Sequence, residues 1–305
     1  MPGRGLSAEA ALKALEKRAE VVLKARPAYA EMVSFYLTVF RSQIEWRDKL
    51  VVRPQALDAE NRRQCLGRGA PFAECHDPGI ESTSLLSLWN VMKEVFREGN
   101  EVLRQAVERI DTAEHASEFV PTAWLAEQRP DCYESIAQTA DRIGIENSVL
   151  GSLSRAVTFP HWELVAKSWL QDSHLSGWRR FRCPTCGGPP GLVESYKEQD
   201  GGDGISGSRR RFMHCPFCGS RWPVPGLQCP ACGSTKEGDA KYLFSPDERE
   251  LRIDFCKNCH RYVKVVDGDR VAGRIHVGLE QVASAHLDMI AREKELLPLE
   301  GGLVF

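Results

Sequence analysis

Eight cysteines fall into four C-x-x-C pairs: Cys183/Cys186 in CPTCGGPP, Cys215/Cys218 in CPFCGSRW, Cys229/Cys232 in CPACG and Cys256/Cys259 in CKNCHRYVK. Two thiolates two residues apart in a tight turn point to one side. Two such turns facing each other make a tetrahedral S4 cage, the geometry of structural zinc or of rubredoxin-type iron. In the first three pairs Pro follows the first cysteine and Gly the second, whereas Lys257 and His260 hold those positions in the fourth. Glycine accepts the positive φ that such a turn requires, and histidine tolerates it better than most side chains. The stretches between successive pairs hold 28, 10 and 23 residues. The two longer ones can carry a hairpin out and back, while ten residues suit a link between finished modules. The expected ligands are therefore Cys183, Cys186, Cys215 and Cys218 for one ion, and Cys229, Cys232, Cys256 and Cys259 for a second.

Sulfur at all four positions leaves no room for water or substrate, which argues against hydrolytic zinc chemistry and for a role in holding the fold. A module of roughly 40 residues has too little apolar surface to stand alone. A bound ion can supply on the order of 10 kcal/mol of its folding free energy. Iron in these cages would open a redox role, and a nucleic-acid-binding zinc ribbon is a third reading. Charge does not favour the last. Residues 179–270 carry sixteen Lys and Arg against twelve Asp and Glu, an excess that eight thiolates and two divalent ions cancel, and the whole chain is at −2.

Other residues attract less. Cys65, Cys75 and His76 lie close in sequence without the spacing of an ion site. Cys132 reads as a small buried apolar residue, and His214 as a hydrogen-bonding neighbour of the cysteines. Arg209, Arg210 and Arg211 read as a solvated face. No phosphate-cradling loop, Ser-His-Asp order or paired carboxylates stand out, so a non-enzymatic role is expected. No run of 18 apolar residues is present, and the first twenty residues are charged and amphipathic without a signal-peptide core. The expectation is a cytoplasmic protein with no membrane insertion. In that reducing compartment, paired cysteines argue for metal before disulfide. Self-association is left open.

The elements that must position the cysteines divide into two grammars. Up to about residue 178 the periodicity is helical: 7–25, 27–46 after Pro27, 85–110, a helix opened near 131–134 by a capping-box spacing, and a pair at 145–157 and 161–174. The stretch 53–83 reads as a polar connection. From Arg179 onward short strands are expected at GLVESY, RRRFMHC, KYLFS and LRIDFC, with a glycine-rich loop at 197–210. A closing helix at 276–297 shows a stripe of Leu279, Val282, Ala283, His286, Leu287 and Ile290. The expected class is α+β. An all-α domain (1–178) precedes two rubredoxin-like or zinc-ribbon modules (179–225 and 226–270), and a C-terminal helix and tail (271–305) follow.

These features together resemble the FdhE family of formate dehydrogenase accessory proteins. The matching phrases are CPTCGGPP, MHCPFCGSRW with Trp222, CPACG, and CKNCHRYVK with Tyr262. RPAYAEMVSFYLTVFRSQ (26–43) and HLDMIAREKE (286–295) resemble the family's early and closing segments. The likeness is sharpest over 183–264. It implies a pair of rubredoxin-like modules able to hold iron, and a cytoplasmic accessory protein that binds the catalytic subunit of formate dehydrogenase before export by the twin-arginine route. It does not imply that this chain oxidises formate. Trp222 and Tyr262 are expected to pack behind the knuckles rather than to meet a partner.

Overall fold

The computed structural model describes residues 7–170, 175, 177–197, 209–224, 228–246, 248–271 and 273–299. The side chain of Ser7 accepts the Ala10 N–H and starts α1 (Ala8–Ala25). Pro27 stops it, and one 3-10 turn, Pro27–Tyr29, leads into α2 (Ala30–Trp46). Leu15, Ala19 and Val22 of α1 pack on Val33 and Leu37 of α2 in a small core that Leu279, Val282 and Ala283 of the closing segment complete.

The connection at 53–83 is not irregular throughout. It holds α3 (Ala59–Arg68), whose N-cap Asp58 accepts the Asn61 N–H, and the single-turn α4 (Phe72–Cys75). AENRRQCLGR buries only Arg62 and Cys65, so it carries no apolar periodicity to detect. The stretch expected as one helix at 85–110 is two, α5 (Ser82–Arg97) and α6 (Glu101–His115). Asn100 restarts the chain by accepting the Leu103 N–H. A short α7 (Pro121–Ala126) follows, with Pro121 in its first turn. The next helix, α8 (Tyr133–Ile143), starts where the capping box placed it, but the box does not form. Cys132 holds the cap position and makes no side-chain cap bond.

The pair of helices expected to break near Pro160 is one helix, α9 (Asn147–Trp169). A proline inside a helix leaves the carbonyl four residues earlier without its donor. Here that carbonyl, Ala156 O, accepts the amide of buried Gln43 on α2 at 2.9 Å. A side chain from another helix thus takes over the missing bond, and α9 continues. Val149, Leu150, Leu153 and Val157 belong to the core made with α5 to α8, whereas Trp162, Val165, Ala166 and Trp169 belong to the core around the first cysteine cluster. One helix therefore fastens the helical part to the cysteine-rich part.

The cysteine-rich part contains β1 (Leu192–Lys197), β2 (Arg209–His214), β3 (Arg221–Pro223), β4 (Ala240–Phe244), β5 (Leu251–Cys256), β6 (Arg261–Asp267) and β7 (Leu297–Pro298). The four expected strands are present, and residues 198–208 of the glycine-rich loop lie outside the described residues. All strands join one sheet of order β3-β2-β1-β6-β5-β4, with β7 beside β6. The seam between the modules is the parallel pair β1 and β6, in which Leu192 faces Lys264 and Val193 faces Val265. Val193, Val263 and Val265 lie in the core with Trp162 and Trp169. On the other side Leu192, Tyr262 and Val266 pack with Leu287 and Ala291 of the closing segment.

That closing segment is two helices, α10 (Val277–Ala283) and α11 (Ala285–Glu293). The break lies at Ser284, whose hydroxyl donates to the carbonyl of Glu280 at 2.6 Å. Leu279, Val282, Ala283 and Leu287 of the expected stripe are buried, whereas Ile290 is exposed and His286 meets Glu248 at 2.7 Å. A buried ion pair, Arg18 Nε to Glu280 Oε1 at 2.6 Å, ties α10 back to α1. Among the described residues no helix is long and apolar enough to cross a membrane.

Candidate metal centres

All four C-x-x-C pairs adopt one local geometry. In each, the residue after the second cysteine has positive φ: Gly187 (81°), Gly219 (70°), Gly233 (72°) and His260 (56°). Its N–H donates to the carbonyl of the first cysteine, at 3.0, 3.0, 2.9 and 2.9 Å respectively. In three knuckles the first cysteine's own N–H is also fixed, Cys183 by Gly188 O, Cys215 by Ser220 O and Cys229 by Ser234 O. The backbone thus sets both sulfurs on one side, as the spacing predicts, and histidine does take the left-handed position in the fourth pair.

The turns meet in the order expected from the loop lengths. Cys183 Sγ lies 3.4 Å from Cys218 Sγ, and Cys186 Sγ lies 3.4 Å from Cys215 Sγ. In the second cluster Cys229 and Cys259 are 3.6 Å apart, and Cys232 and Cys256 are 3.8 Å apart. Within each cluster all four sulfurs lie within 4.8 Å of one another. A regular tetrahedron with metal–sulfur bonds of about 2.3 Å has sulfur–sulfur edges of about 3.8 Å. The separations are those of a cage and far too long for a disulfide. The donor set therefore fits one four-coordinate zinc or iron ion per cluster.

The surroundings of the two cages differ. Cys183, Cys215 and Cys218 are fully buried, while Cys232 is exposed and Cys229 and Cys259 are half-buried. Around the first cage, Ser220 Oγ donates to Thr185 Oγ1 at 2.8 Å, bridging its two knuckles, and lies 3.0 Å from Cys218 Sγ. The start of α4 clasps the same knuckle: the Phe72 and Ala73 N–H groups donate to Pro184 O and Thr185 O. Trp162 packs on Phe217 with ring centres 5.3 Å apart. Around the second cage, Lys257 N–H donates to Asp239 O, and Ser234 Oγ bonds the Asp239 carboxylate. The serines follow a repeated CGS phrase, a local signal that sequence reasoning passed over. The α4 clasp has no such signal, because its partners are more than a hundred residues away.

Thiol acidity follows the same division. Burial opposes ionisation of Cys183, yet hydrogen bonds from Cys186, Cys215 and Cys218 hold it well below the usual thiol range. Burial pushes Cys186 and Cys218 well above it. In the second cage the Asn258 amide, 3.4 Å from Cys232 Sγ, brings that thiol down to about 6, and burial pushes Cys229 up to about 12. Loading a divalent ion must displace the remaining protons.

The lesser candidates are placed as follows. Cys65 Sγ lies 3.7 Å from His76 Nε2, and burial with the neighbouring Cys75 thiol pushes Cys65 up to about 11. Cys132 is half-buried and donates its thiol proton to Arg129 O at 2.7 Å. His214 meets the buried Glu194 carboxylate at 3.1 Å rather than a sulfur. The arginine triplet is a solvated face only at Arg210, which is exposed. Arg209 pairs with Asp267 at 2.7 Å and Arg211 with Asp254 across the sheet. Trp222 is fully buried behind the first cage, and Tyr262 is buried with its hydroxyl on Asp288 at 2.7 Å.

No family model matches the chain. A protein FdhE homolog of Aquifex aeolicus is 22% identical over 247 residues, covering 80% of this chain and 78% of that protein. Protein FdhE of Escherichia coli is 26% identical over 136 residues, 42% of this chain and 41% of the relative. The crystal structure of the FdhE protein from Pseudomonas aeruginosa superposes with a TM-score of 0.62 over 100% of this chain and 99% of that one, at 19% identity. The chain is thus similar to FdhE proteins along most of its length, and it shares the fold of the Pseudomonas aeruginosa FdhE protein.

Proposed function

We propose that this chain is a cytoplasmic accessory protein for formate dehydrogenase, binding the immature catalytic subunit through a surface shaped by two tetrathiolate metal sites. Its role is to bind, not to catalyse. The observation that carries the reading is the pairing of the two four-sulfur cages within one sheet, in a chain whose relatives are named for FdhE. Cys183, Cys186, Cys215 and Cys218 would hold one ion and Cys229, Cys232, Cys256 and Cys259 the other. With every coordination position filled by sulfur, the ion would supply rigidity and no open site for substrate. The helical unit (1–178), the two modules (179–225 and 226–270) and the closing segment (271–305) are the working parts. Clefts between the first and the modules are where a polypeptide would lie.

Co-purification with the catalytic subunit of formate dehydrogenase tests the reading directly. Wild-type chain should retain that subunit, and Cys→Ser change of either pair in one cage should lose it while the circular dichroism of the helices persists. Failure of the wild-type chain to retain the subunit, under anaerobic and metal-replete conditions, rejects the proposal.

Exposure of Cys232 favours one second reading: electron transfer through iron in the outer cage, for which an exposed sulfur is the natural exit. Ferric tetrathiolate absorbs visible light and d10 zinc does not. A colourless protein with two equivalents of zinc rejects this second reading.

A further inference from the structure

A cleft of about 600 Å³ opens where the helical unit meets the third knuckle. One wall is the Cys229–Gly233 turn, with Pro230 and Ala231 facing in. The other wall carries Arg68, from the last turn of α3, and Arg179, Arg180 and Arg182, from the segment leading into the first knuckle. Four guanidiniums on one wall repel one another, and folding alone gives no reason to collect them there. Arg182 is paired, with Glu74 at 3.0 Å. Among the described residues, no ion pair holds Arg68 or Arg180.

Arg180 is seated against the helical unit. Arg180 runs directly over Gly69, where an added Cβ would stand 2.5 Å from its Nε. Gly69 also has φ of 64° as the C-cap of α3. The same glycine therefore ends the helix and clears the path for the guanidinium.

We propose that this cleft receives a carboxylate-rich segment of a partner polypeptide. Guanidinium forks pair with carboxylates bidentately, and the Pro230, Ala231 and Phe181 surfaces offer apolar contact to the segment's side chains. A nucleic acid is disfavoured because the basic surface is one short cleft rather than a track, in a chain of net charge −2. That the partner is the formate dehydrogenase subunit rests on the preceding proposal. The chemistry of the cleft does not.

The test uses the full metal-loaded chain and a fluorescein-labelled hexaglutamate, with hexalysine and an oligothymidylate of equal length alongside. Fluorescence anisotropy at low salt should show hexaglutamate binding that weakens as salt rises. Binding should fall by about tenfold or more in an Arg68→Gln, Arg179→Gln, Arg180→Gln triple variant and be only partly restored by the Lys triple, which returns the charge without the fork. All three side chains are exposed, and unchanged circular dichroism and metal content show that the variant is folded. The proposal is overturned if the Gln triple binds hexaglutamate as the wild type does. It is equally overturned if oligothymidylate binds more tightly than hexaglutamate and depends on the same arginines. Should hexaglutamate bind as expected while the formate dehydrogenase subunit is not retained by wild-type protein, the cleft stands and the choice of partner falls.

Discussion

Gln43 should act as the missing half of the α9 backbone. Its amide is the donor that Ala156 O loses to Pro160, at 2.9 Å and in a site where Gln43 is 8% exposed and Ala156 3% exposed. Gln43→Ala leaves that carbonyl buried and unpaired, at a cost of about 1–3 kcal/mol. The Pro160→Ala change returns a backbone N–H at 160, able to donate to Ala156 O. In that background the same Gln43→Ala substitution should cost only its lost packing. The double-mutant cycle should therefore yield a coupling of about 1–2 kcal/mol. Urea unfolding followed by tryptophan fluorescence, with Trp162 two residues beyond the proline, measures all four corners. In thermal melts each kcal/mol corresponds to about 2–4 °C for a chain approaching this size. Equal losses from Gln43→Ala in both backgrounds would refute the argument that a side chain substitutes for the helix bond.

Three further outcomes are expected. Chelator should strip the two ions in separate phases, the exposed Cys232 cage first, and Cys232→Ser should remove the fast phase alone; a single phase for both ions contradicts the difference in burial. Near neutral pH the first cage's affinity should rise at least about 100-fold per pH unit, since Cys186 and Cys218 are both pushed up and hold protons that the ion displaces; competition titrations showing less than a tenfold rise would count against this. Glu194 is opposed by burial but hydrogen-bonded by His214 and Tyr196, which lowers it from 4.5 to about 2. Its contribution is present above pH 4.5 and lost as pH falls towards 2, at most about 3 kcal/mol, so Glu194→Gln should flatten the acid limb of a stability–pH curve.

The knuckles were legible in advance because their chemistry is local. Each C-x-x-C turn needs its own positive-φ residue, and loop length alone separates partners from neighbours, so even His260 was placed from spacing. Helix boundaries were less legible where long-range contacts decide them. Nothing near Pro160 announces that Gln43, more than a hundred residues earlier, will rescue the carbonyl. Nothing in AENRRQCLGR announces a helix, because α3 buries an arginine and a cysteine in place of an apolar stripe. The span 85–110 was read as continuous because apolar residues recur on both sides of Gly99, while Asn100 restarts the chain with a cap. Strand β6 is less legible, because RYVKVVD directly follows the fourth knuckle with no turn signal between them. The ion pairs of Arg209 and Arg211 depend on strand neighbours that periodicity does not reveal. Conversely, Trp222 and Tyr262 lie where packing expects large rings, inside.

The parallel seam sets an order of events on the ribosome. Leu192 pairs with His214 on one flank, but its partner on the other, Lys264, emerges fifty residues later, so the first knuckle pair can close while one flank of its strand is still bare. Nascent chains arrested between those points would carry a finished inner cage and an exposed strand edge, the state in which sheets recruit the wrong neighbour. Synthesis of the second knuckle pair is thus also what shields the first.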